Sequence, residues 1–137
     1  MASRNLLALD VGEKRIGVSL ADSAIGIAVA YDTLSVDGTE VEQISRLVVS
    51  EEIDLIVVGY PRNMAGEATK QTEYVEKFTE LLKDFGPRIV FQDESLTSVK
   101  AEEILNRQRR PYQKADIDAL AASLILQDYL EANHGRI

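Results

Sequence analysis

Three apolar runs crowd into residues 6–34, and the links between them are too short for anything but an antiparallel meander. The runs are Leu6 to Val11, Arg15 to Leu20 and Gly26 to Leu34, and the first two are joined only by Gly12-Glu13-Lys14. Parallel neighbours would need a crossover of about a dozen residues or more. The pattern then changes period. Thr39 and Glu42 have the spacing of a capping box, and Val41, Ile44, Leu47 and Val48 give the predicted helix an apolar face. DLIVVG, from Asp54 to Gly59, is a short continuous apolar run of the kind covered on both faces. A helix is expected from about Gly66, with Val75, Phe78, Leu82 and Phe85 on one side and Gly86-Pro87 at its end. Arg88 to Gln92 reads as a further strand, Thr97 or Ser98 as a helix start, and Asp116 to about Leu130 as the last helix.

The order βββαβαβαα predicts an α/β fold with a mixed five-stranded sheet and helices on both faces. This is the ribonuclease H-like order of elements. With 137 residues, 45% of them hydrophobic, the chain is expected to form one domain over residues 1–137. It contains no cysteine, which excludes a disulfide framework and a cysteine-ligated zinc site. No apolar run reaches the roughly 20 residues of a membrane helix, and MASRNLLALDVG lacks a secretory pattern. A cytoplasmic location is therefore expected.

Three acids interrupt otherwise consistent patterns. Asp10 occupies a strand face shared with Leu6 and Ala8, Glu94 follows the strand RIVFQ, and Asp118 precedes Ala121, Ala122 and Ile125 in the last helix. Each has an ordinary explanation: a turn acceptor, a solvent-facing loop acid, and an acid favouring a positive helix terminus. Asp116 resembles an N-cap more strongly still. In a sheet of this order, however, the three converge at one end of the central strand. Carboxylates about 4 Å apart repel by about 4 kcal/mol per pair at an effective dielectric near 20, and divalent cations relieve that repulsion. Oxygen-only ligand sets suit Mg²⁺ or Mn²⁺, which support phosphodiester hydrolysis by in-line displacement. Gly17, Ser19 and Ala21 leave one strand face small, either for packing or for a ligand. Gly59 leaves a path by which Glu94 can reach towards Asp10.

Four blocks together resemble the YqgF (RuvX) family, described as Holliday junction resolvases and as pre-16S rRNA nucleases. They are LALDVGEKRIGVSLAD, VVGYPRNMAG, FQDESLTSVKAEEIL and DIDALAASLILQDYL, in order along nearly the whole chain. The resemblance implies a ribonuclease H-like fold and a metal-dependent nuclease. It places the catalytic and metal-binding triad on Asp10, Glu94 and Asp118, with Asp116 or Asp93 as a possible fourth ligand. It further implies 5′-end maturation of pre-16S rRNA, in association with ribosomal particles. Branched junction DNA is the competing substrate. The chain departs from the family at Ser95, where arginine is usual and where serine supplies no cation, and at Arg62 after Pro61.

The formal charge of -8 argues against general nucleic-acid binding, but the charge is uneven. NRQRRPYQKA, from Asn106 to Ala115, carries Arg107, Arg109, Arg110 and Lys114 without an acid, leaving -12 on the rest. These four residues are expected to bind substrate, as are Lys14 and Arg15 beside the Asp10 strand; Tyr112 is a candidate to stack on an unpaired base. Asn63 joins them through the resemblance. For all of these, solvated surface residues are the alternative. Two other classes compete: a nucleotide-using kinase of the actin and sugar-kinase type, and a catalytically silent RNA-binding assembly factor. The first needs a second domain and a second phosphate loop, neither of which 137 residues provide.

Overall fold

The computed structural model describes residues 3–94 and 97–137. Its elements are β1 (Asn5–Val11), β2 (Arg15–Asp22), β3 (Val29–Ser35), α1 (Glu40–Ser50), β4 (Leu55–Pro61), α2 (Lys70–Glu80), a 3-10 turn (Lys83–Phe85), β5 (Arg88–Glu94), α3 (Thr97–Arg107) and α4 (Lys114–Ala132). The strands lie in the order β3-β2-β1-β4-β5. The first three form the expected antiparallel meander, and β1–β4 and β4–β5 are parallel. β1 is therefore the central strand.

Alternation along the strands separates two cores. Leu7, Leu9, Ile16, Val18, Ile56 and Val58 face α1 and α2, where they meet Ile44, Val48, Val75 and Phe78. Leu6, Ala8, Leu55 and Val57 face the other way, onto Ile125, Leu126 and Leu130 of α4. α3 packs on α4. Helix α4 is thus covered by the sheet on one side and by α3 on another, which explains its broadly apolar sequence. Among the described residues no helix is long and apolar enough to cross a membrane.

Several element ends differ from expectation. α1 is not closed by a Thr39–Glu42 box: the Asp37 carboxylate accepts from the Thr39 amide at 3.0 Å, and Glu40 from the Gly38 amide at 2.9 Å. Glu42 instead pairs with Arg46. α2 starts at Lys70 rather than near Gly66, because Thr69 and Thr72 cap each other there. β3 starts at Val29 because Asp22 holds residues 24–26 in a turn. β4 continues past Gly59 to Pro61. α4 starts two residues before Asp116, whose carboxylate reaches back to accept from the Gln113 amide at 2.8 Å. Asp118 consequently stands in the second turn, beyond the free amides of the helix terminus.

Candidate active site

Two glycines bring the elements bearing the three acids together. Asp10 lies opposite Gly17 in the β1–β2 ladder, on the face that receives α4. Gly17 has no side chain to hold the helix off, and a Cβ there would collide with the Asp118 carbonyl. One ladder step further along β2, on the same face, the Ser19 hydroxyl donates to the Ala122 carbonyl at 2.8 Å. The small face of β2 is therefore filled by helix backbone, and its packing alternative is the one observed. On the other side of Asp10, a Cβ on Gly59 would strike the Glu94 carboxylate and the Ile125 side chain. Glu94, at the end of β5 and on the same sheet face as Val90, reaches back across that gap.

The carboxyl groups of Asp10 and Glu94 are close enough to perturb one another. Burial, then the charges of Glu94 and Asp118, push the Asp10 carboxyl from its ordinary 3.8 up to about 8. Burial also raises Glu94. At neutral pH the Asp10–Glu94 pair consequently retains a proton. Asp118 is drawn towards Arg15, whose Nε donates to Asp118 Oδ2 at 2.6 Å, with both side chains partly exposed. Among the described residues no group of three or more His, Cys, Asp or Glu side chains is placed to hold a metal ion. The donor chemistry nonetheless fits a hard divalent cation: all three groups are carboxylates, and two are already close at the cost of keeping a proton.

The other expected residues fall into distinct settings. Arg15 is the first residue of β2 and is engaged with Asp118, a pairing that the sequence reading missed. The two residues are 103 positions apart, and no local signal connects them. Lys14 is exposed in the turn, which is closed by the Gly12 amide donating to the Arg15 carbonyl at 3.0 Å. Asn63 uses its side-chain oxygen to accept from the Ala65 and Glu67 amides, at 3.0 and 2.9 Å, and so fastens its own loop. Arg62 lies over the Tyr60 ring and pairs with Asp93 at 3.3 Å. Asp93 alternates with Glu94 along β5 and points to the opposite face, away from Asp10. Asp116 serves the start of α4. Ser95 lies outside the described residues.

Arg107, Arg109, Arg110 and Lys114 are all exposed, and among the described residues none forms an ion pair. Their segment joins α3 to α4 and is anchored on the β3 side, where the Thr33 hydroxyl donates to the Ala115 carbonyl at 2.6 Å.

A family model described as RuvX, Holliday junction resolvase, matches residues 4–132. A Chloroflexus aurantiacus protein provisionally named a pre-16S rRNA nuclease is 43% identical over 137 residues, covering 96% of this chain and 90% of that protein. A Carboxydothermus hydrogenoformans protein with the same provisional name is 43% identical over 133 residues, covering 91% of this chain and 94% of its own. Among solved structures, T. thermophilus RuvC in complex with a Holliday junction substrate superposes with a TM-score of 0.60 at 13% identity, covering 96% of both chains. The Fowlpox virus resolvase in complex with Holliday junction DNA gives a TM-score of 0.57 at 12% identity, over 93% of this chain and 97% of that one. The fold is ribonuclease H-like, as the order of elements predicts.

Proposed function

This chain belongs to the RuvX family, and from that premise we propose that it is a nuclease that hydrolyses phosphodiester bonds at Asp10, Glu94 and Asp118. The observation that carries the assignment is geometric: Gly17 admits the helix bearing Asp118 and Gly59 admits the Glu94 carboxylate, on either side of Asp10. A scaffold gains nothing from such a cluster, whose members repel one another. Precursor 16S rRNA in the cytoplasm is the proposed substrate, following the names of the relatives.

Asp10, Glu94 and Asp118 would hold Mg²⁺ or Mn²⁺, whose chemistry when bound is to activate a water and to stabilise the leaving oxygen. The residues of the chain prepare that site. To hold such an ion, Asp10 and Glu94 would have to give up the proton that their burial favours. Arg15 orients Asp118, and its partly exposed guanidinium has further N–H groups with which to meet a substrate phosphate. Lys14 adds a positive charge from the neighbouring turn, and the 106–115 segment binds phosphates further along the strand. Gly17 and Gly59 set the separations between the three elements.

The decisive experiment compares 5′-extended 16S rRNA fragments with four-way DNA junctions under Mn²⁺ or Mg²⁺. Cleavage of the RNA, lost in a folded Asp10→Asn variant, is the expected result. Preferential junction cleavage would reassign the substrate. Full activity in Asp10→Asn would overturn the triad. Binding of the RNA without cleavage by the wild-type protein would favour the assembly-factor reading.

A further inference from the structure

A concavity lies on the same sheet face as the acidic site. It is a cleft of about 520 Å³ between β3, residues 108–112 and the first turns of α4, within the roughly 300–1,000 Å³ of small-ligand sites. Thr33 lines it and stands in one ladder row with Gly17 and Asp10. Two strand spacings of about 4.8 Å put that edge about 10 Å from Asp10, on the same sheet face.

The cleft is built with aromatic groups and a carboxylate. Tyr31 is the extra residue of a β-bulge, since Ala30 pairs with Ser19 while Asp32 pairs with Val18. Bulges re-aim side chains, and this one leaves Tyr31 half exposed at the cleft. On the loop side, Tyr112 is steadied by its hydroxyl, which donates to Asn106 Oδ1 at 2.6 Å. Arg110 also lines the cleft, directly after Arg109, whose φ of 55° is uncommon outside glycine and turns the loop sharply. Asp116 also lines the cleft, whereas Asp32 pairs with Val18 and so carries its carboxylate on the sheet face opposite to Thr33. One Asp116 oxygen accepts from the Gln113 amide at 2.8 Å. The other remains as an acceptor. A carboxylate repels a phosphate, but it accepts from the N–H groups of a flat ring stacked on tyrosine.

We infer that this cleft receives an unpaired, amino-bearing nucleobase from a nucleotide neighbouring the scissile phosphate, with Arg110 meeting the adjoining backbone. The inference rests on the nuclease reading above and adds the group that positions the strand. The test uses single-stranded RNA containing one 2-aminopurine, bound to Asp10→Asn protein in chelator so that cleavage cannot intervene. The fluorophore should be quenched on binding. Tyr112→Ala and Tyr31→Ala, each added to that protein, should weaken binding by about tenfold without changing its salt slope. Tyr112→Phe should stay within about threefold of the parent, which separates stacking from loss of fold. Oligouridine should bind less tightly than oligoadenosine. An unquenched fluorophore, or parental affinity in both alanine variants, overturns the inference. Cleavage by wild-type protein without quenching defeats the cleft alone; quenching without cleavage defeats the nuclease reading and leaves the cleft standing.

Discussion

Asp10 concentrates the electrostatic cost of the site in one residue. Its carboxyl ionises near 3.8 when free and at about 8 in the folded chain. Between those values the native state holds a proton that the unfolded state has released, so the stability of cation-free protein falls as pH rises. The contribution is fully present below about pH 4 and is lost by about pH 8. Glu94 is shifted in the same direction by burial. In chelator, the urea midpoint should therefore decline from pH 5 to pH 8. Asp10→Asn should flatten the decline and raise the midpoint at pH 8, whereas Mn²⁺ should stabilise the wild type more than the variant. A wild-type midpoint that holds steady across this range would contradict the protonated pair. Asp10 stands out in the sequence because a carboxylate breaks an apolar strand pattern. The pairing of Arg15 with Asp118 does not, because the two are distant in sequence and a cation beside a turn looks the same whether it is free or paired.

At the scale of elements, the two glycine contacts predict different failures. A methyl at Gly17 meets helix backbone, so Gly17→Ala must displace α4 and should cost about 1–3 kcal/mol as well as activity. A methyl at Gly59 meets the ends of two side chains, Glu94 and Ile125, which can rotate aside. Gly59→Ala should therefore retain more of its melting temperature while losing cleavage, through displacement of Glu94. Thermal melts and cleavage rates measured together on both variants check the contrast; equal destabilisation would refute it. Strand order was legible because short links forbid parallel neighbours. The small face of β2 was ambiguous, since Gly-x-Ser-x-Ala leaves the same room for a ligand as for a helix. Helix starts were misjudged where local caps competed: Asp37 and Glu40 displaced the Thr39–Glu42 pattern, and Gln113 with Asp116 began α4 early enough to carry Asp118 into its second turn.

Across the whole molecule, charge is divided between one basic segment and an acidic remainder. Arg107, Arg109, Arg110 and Lys114 give residues 106–115 a charge of +4, while the other 127 residues hold 11 basic and 23 acidic side chains. A polyanion is therefore attracted at one segment and repelled by the chain at large. Replacing Arg109 and Arg110 by Ala should weaken RNA binding and flatten the dependence of log affinity on log salt by up to about two charges. An unchanged slope would make the segment an ordinary solvated loop. The four-block motif pattern and the charge run were readable in one dimension, but the bulge that turns Tyr31 towards that run was not. The acids on β1, β5 and α4 also have an order in time. A chain made from its N-terminus acquires Asp10 early and Asp118 only with α4, whose docking against Gly17 completes the trio. A half-made chain therefore carries Asp10 and Glu94 without the third carboxylate, and the trio is complete only once α4 has been made and docked.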